Sequence, residues 1–121
     1  MALPVNRSVD EIVVSARMAD VAATTSCWAV APCKGRLVRA FSVVEGTTNG
    51  AAAISFAIDG ATALTQTLTI ASGGGAGDVD SVEFAQSSAT LVTEGSKIDI
   101  DSDGGGSTTV VGNFYLVIER N

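Results

Sequence analysis

From Glu11 onward, apolar and polar residues alternate with a period of two, the pattern of strands that turn one face to a core. In EIVVSARM, Ile12, Val14, Ala16 and Met18 share a face. Asp20–Thr25 reads as a turn, and Cys27–Ala31 as a second strand with Trp28 and Val30 on one side. Gly35 opens the long run GRLVRAFSVVEG, whose two faces carry Leu37, Phe41 and Val43 and, behind them, Val38, Ala40 and Val44. Thr48-Asn49-Gly50 predicts a tight hairpin, because Asn-Gly supplies the positive φ angles such a turn needs. In AISFAIDG, Ile54, Phe56 and Ile58 alternate inward, and Leu64, Leu68 and Ile70 then alternate with Thr65, Thr67 and Thr69. The GGGAG run at 73–77 is a loop, followed by a short strand with Asp80, Val82 and Phe84. Lys97–Asp101 places Ile98 and Ile100 inward, and beyond Gly104-Gly105-Gly106 a last strand groups Val110, Phe114, Leu116 and Ile118. Seven to nine strands with no helical stretch of useful length predict an all-β, antiparallel β-sandwich or jelly-roll-like domain over residues 11–121, preceded by an arm at 1–10.

A solitary sandwich of this size should be wet on its outer faces. Yet Val38/Ala40/Val44 back Leu37/Phe41/Val43, and Phe114/Leu116/Ile118 back Val111/Tyr115/Val117. The second apolar face predicts a subunit interface, with Leu37, Phe41, Val111, Tyr115 and Val117 as its candidates and Arg39 as a polar contact beside them. Leu3, Pro4, Val5 and Arg7 are candidates for an extended arm that reaches a neighbour.

Composition narrows the functional classes. With 121 residues and 12.2 kDa, the chain has length for one domain and one modest core. Small residues and valine dominate, which favours strands and turns over helices. A net charge of −6 argues against nucleic acid or an anionic membrane as the main partner. No apolar run is long enough to span a bilayer as a helix. MALPVNRSVDEIVV lacks the basic and apolar regions of a secretory signal, so the expectation is a protein made and used without export by that route. The chain has no histidine, which removes Ser-His-Asp triads, Cys-His pairs and most zinc or iron sites.

Single motifs carry little chemistry. Asp99-Ile-Asp101-Ser-Asp103-Gly104 matches the opening of a calcium loop, making Asp99, Asp101 and Asp103 the candidate metal ligands. Position twelve would be Val110 instead of a bidentate Glu, and the same three residues on a strand simply form an acidic edge. Paired acids for glycoside hydrolysis would need one raised pKa, and carboxylates in wet glycine-rich loops offer no cause for one. Trp28 and Tyr115 are the only amphipathic aromatics on which a sugar could stack. The glycine loops lack phosphate-binding spacing, and no residue set reads as catalytic or cofactor-binding. Cys27 and Cys33, six apart in CWAVAPC, lack C-x-x-C spacing and read as packing thiols.

The segment VAPCKGRLVRAFSVVEGTTNGAAAISFAIDG resembles the first half of small tailed-bacteriophage head decoration (cement) proteins. Its features are an apolar–Ala-Pro–x–x-Gly opening, a long strand ending near Gly, and a second strand closed by a Gly turn. GDVDS, EGSKIDIDSDGGGSTT and LVIER continue the likeness in order and spacing, from about Met18 to Arg120. The CWAVAPC pair departs from it, and the first ten residues lie outside it. The resemblance implies a virion protein without cofactor, made in the bacterial cytoplasm and seated on the outer capsid, usually as a homotrimer at three-fold and quasi-three-fold axes. There it would clamp neighbouring major capsid proteins. Two other classes fit the same residues: a calcium-dependent adhesion or carbohydrate-binding β module, and another virion part such as a fibre, spike or tail component.

Overall fold

The computed structural model describes residues 10–120. Nine strands form two sheets: β1 Glu11–Met18, β2 Thr24–Val30, β3 Gly35–Val44, β4 Ala52–Ile58, β5 Leu68–Ile70, β6 Val79–Glu83, β7 Leu91–Val92, β8 Lys97–Asp103 and β9 Gly112–Arg120. Sheet A runs β1-β9-β3-β6, with β7 joining β3 beside β6, and sheet B runs β2-β8-β4-β5. Every recorded strand pairing is antiparallel. Because β1 to β4 alternate between the sheets and β8 and β9 do so again, the strand order is that of a jelly roll.

The core lies where the inner faces meet. Met18, Leu37, Ala40, Phe114, Leu116 and Ile118 come from sheet A, and Ile54, Phe56, Leu68, Ile70, Ile98 and Ile100 from sheet B. The inward residues read from alternation in β4, β8 and β9 are buried as expected. Phe56 meets Phe84 edge-on, with ring centroids 5.2 Å apart, a favourable arrangement for aromatic quadrupoles.

Two expectations fail, each for a physical reason. Asn49-Gly50 is not a hairpin turn, since β3 belongs to sheet A and β4 to sheet B. The segment crosses between the sheets instead. The Asn49 side chain holds Ser107 and Thr108 on the far loop, and a Cβ on Gly50 would overlap the Gly105 carbonyl. The glycine here serves close backbone approach, not a positive φ.

The second failure is in β3. Its register against β9 shifts between Leu37 and Arg39, so Val38 is an extra residue. The bulge reverses the alternation: Leu37 points inward with Ala40 and Val44, whereas Arg39, Phe41 and Val43 point outward. Leu37, expected on the outward apolar face, is 0% exposed and belongs to the core.

Candidate binding face

The outward face of sheet B is built from residues that β-pairing brings together across long stretches of chain. Trp28 on β2 sits opposite Asp99 on β8, which sits opposite Ala57 on β4. One level along lie Ser26, Asp101 and Ser55, and beyond them Thr24 and Asp103. In the other direction Val30 faces Lys97. Strand alternation explains the display, because Cys27 and Ala29, flanking Trp28, are buried inward and force the indole out.

Trp28 is 56% exposed and Val30 beside it is also exposed. Side chains directly opposed on antiparallel strands have Cβ atoms about 5 Å apart, so Trp28 and Asp99 are cross-strand neighbours on this face. The Asp99 side chain is only 20% exposed, with Lys97 Nζ 3.7 Å from its Oδ1. That Oδ1 is buried and accepts no hydrogen bond. Its neighbours are committed: Asp101 Oδ1 accepts from the Ser26 hydroxyl, and Asp103 Oδ1 accepts from the Ala53 N–H at 2.9 Å. An exposed indole with an acidic residue on the neighbouring strand can hold a ligand with one apolar face and hydroxyl groups on its rim.

Asp99, Asp101 and Asp103 all lie on β8 and not in a loop. Extended backbone separates alternate residues by about 6.8 Å, so the three carboxylates line up without converging. Among the described residues no group of three or more Cys, Asp or Glu is placed to hold a metal ion. Beneath this face the Cys27 thiol is pushed up to about 11, chiefly by burial and secondarily by the negative charge of Asp101. Cys27 is buried, Cys33 is half-buried, and both thiols are free.

The outward face of sheet A holds most of the residues expected at an interface. Tyr115 and Phe41 are neighbours across β9 and β3, with Val43 and Val79 at the next level and Val13 on β1. Val13, Val79 and Tyr115 are exposed, while Phe41, Val43 and Val111 are half-buried. Val117 also points outward but is 4% exposed. The Arg39 guanidinium reaches across β9 to the Glu11 carboxylate at 2.7 Å. Leu3, Pro4, Val5 and Arg7 lie outside the described residues.

No family model and no curated protein matches the chain. Solved structures do. A family 6 carbohydrate-binding module matches at TM-score 0.50 and 17% identity, over 82% of this chain and 69% of that one. CsCBM6-3 from Clostridium stercorarium, solved in complex with cellobiose, matches at TM-score 0.53 and 12% identity, over 97% and 85%. The catalytic unit of a GH87 α-1,3-glucanase from Streptomyces thermodiastaticus matches at TM-score 0.52 and 13% identity, with 93% of this chain lying on 24% of that one. The likeness is one of fold.

The aromatic platform of sheet B was half visible in the sequence. Trp28 is placed outward by its own strand, but Asp99 is 71 residues further along, and only the β2–β8 pairing sets the two side by side.

Proposed function

We propose that this chain is a non-catalytic binding module that takes a neutral carbohydrate on the outward face of sheet B. The observation that carries this is Trp28, an exposed indole whose cross-strand neighbour on β8 is an acid, Asp99. A pyranose offers the matching chemistry. Its C–H face covers the indole, and a ring-edge hydroxyl donates to Asp99, a charge-assisted bond stronger than a neutral one. Three carboxylates along β8 disfavour an anionic sugar. The module-like fold, shared with a protein solved with cellobiose, supports the reading without naming the sugar. The test is calorimetric titration with cellobiose and other neutral oligosaccharides against wild type, Trp28→Ala and Asp99→Ala. Binding by wild type that both substitutions abolish is the expected result. Equal heats from all three proteins would refute the site.

A second reading has its own support: a capsid decoration protein that trimerises on the outer surface of an expanded phage head and clamps the major capsid protein. The sequence resemblance favours it, as does an outward face of sheet A that carries Tyr115, Phe41, Val43, Val79 and Val13. A clamp that binds the expanded shell and not its dissociated subunits stabilises it by mass action, multiplied over many copies. Co-sedimentation with undecorated heads, together with native mass spectrometry of the released protein, tests this reading. Failure to co-sediment would remove it and leave the carbohydrate face untouched. The two readings are compatible, because they use opposite faces of the sandwich.

A further inference from the structure

We infer that the outward face of sheet A is a self-complementary surface that pairs with a second copy of this chain about a two-fold axis through Tyr115. Four charges stand at the corners around that residue, with the Arg36–Glu119 pair (3.1 Å) beyond one end and Glu83 beside Arg39. Glu11 and Arg17 lie toward opposite ends of β1, on one side of β9. Arg39 on β3 and Glu45, just beyond its end, flank β9 on the other. Two ion pairs cross β9 in opposite senses: Glu11 to Arg39 at 2.7 Å on one side of Tyr115, and Arg17 to Glu45 at 3.9 Å on the other. Acid and base therefore alternate around the four corners, with Tyr115, Phe41 and Val43 between them and Val13 at the border.

That pattern has a symmetry consequence. A half-turn about an axis lying in the face through Tyr115, whether along β9 or across it, lays a second copy's face on the first. The half-turn across β9 brings Glu11 and Glu45 within reach of Arg17 and Arg39 of the other copy and lays Tyr115 on Tyr115, whereas a half-turn along β9 would lay Glu119, which also points outward from β9, on its own copy. An isologous contact requires this self-complementarity, and a face with one sign of charge, or with both pairs running the same way, would not have it about the axis across β9. Each ion pair is partly exposed in the single chain, so each guanidinium is free to bridge a second carboxylate. Four strands about 4.8 Å apart and six residue steps of about 3.4 Å give a projected area of roughly 400 Å² per copy. That is small for a specific interface, so the pair is weak, reversible and salt-sensitive. The inference does not depend on what sheet B binds.

Sedimentation velocity on the whole chain tests it. Wild type should show a monomer–dimer equilibrium that weakens by about tenfold or more between 0.05 and 0.5 M salt, as screening shortens the reach of the corner charges. Glu11→Lys/Glu45→Lys makes all four corners positive, and Arg17→Glu/Arg39→Glu makes all four negative. Each should be monomeric alone, and an equimolar mixture should form a heterodimer. If either double variant fails to fold by circular dichroism, Tyr115→Arg, which places like charges on the axis, should abolish the wild-type dimer. Four results would overturn the inference: a wild-type monomer at every concentration, an oligomer that survives both reversals, a mixture of folded variants that stays monomeric, or a wild-type monomer that attaches to capsid shells through this same face.

Discussion

Replacing Phe56 by Ala measures whether β4 is held in the register that fixes which side of sheet B faces outward. The ring is fully buried, and about 200 Å² of aromatic surface at about 25 cal/mol per Å² is worth about 5 kcal/mol. A denatured chain that already hides about a quarter of that area lowers the figure to about 4 kcal/mol. The lost edge-on contact with Phe84 at 5.2 Å adds roughly 1 kcal/mol, and the methyl group kept by Ala offsets a similar amount. The expected loss is therefore about 4 kcal/mol, inside the usual range for Phe→Ala in a core. Urea unfolding, followed by circular dichroism and by the fluorescence of the single tryptophan, provides the assay. With a slope of about 1.5 kcal/mol per molar urea, the midpoint should fall by between about 2 and 3 M at unchanged slope. Ser55→Ala, one residue away and outward, should change stability by no more than about 0.5 kcal/mol. A Phe56→Ala loss below about 1.5 kcal/mol, or a larger loss from Ser55→Ala, would mean that β4 is shifted by one residue and the outward face of sheet B is wrongly assigned.

Further outcomes follow from single contacts. Gly50→Ala should cost about 1–3 kcal/mol in the same urea assay, because its Cβ would overlap the Gly105 carbonyl where two loops meet backbone to backbone. Asp59 accepts from the Ser96 hydroxyl and the Lys97 N–H, each at 2.9 Å, at a φ of 53°; Asp59→Ala should cost about 2 kcal/mol and Asp59→Asn less. The Cys27 thiol, raised from 9.0 to about 11, stays neutral in the folded protein at pH values where it ionises in the unfolded chain. The stability it contributes is thus complete below pH 9 and is lost as pH rises toward 11; Cys27→Ala should flatten that part of the stability–pH curve. At pH 8, a thiol reagent should modify Cys27 only after unfolding.

Local alternation was enough to read most strands. Ile54, Phe56 and Ile58, Ile98 and Ile100, and Phe114, Leu116 and Ile118 all lie where a period of two puts them, because each is held inward by its own strand. What alternation cannot carry is pairing. The Asn49-Gly50 dipeptide favours a hairpin locally, but a jelly roll sends consecutive strands to opposite sheets, and the crossing prevails. Val38 shows the same limit within one strand: all of β3 from Gly35 to Val44 is apolar enough to read either way, and only its contact with β9 reveals the extra residue that sends Leu37 inward. The turn at Ser88–Thr90 and the two-residue β7 left no periodic trace at all. For the binding face, alternation sets Trp28 and Val30 on one side of their strand without saying which side, and sets Asp99 among the outward charges of Lys97–Asp101, but their adjacency exists only in the folded sheet.

The most direct test of the carbohydrate face is a glycan array that spans neutral and acidic sugars, probed with wild type and with Trp28→Ala. Trp28 is 56% exposed, so its truncation should leave the protein folded, which circular dichroism can verify. Wild-type signal confined to neutral glycans and lost in Trp28→Ala is the expected result. An undiminished signal from folded Trp28→Ala, binding concentrated on acidic glycans, or no wild-type signal on any sugar would contradict it.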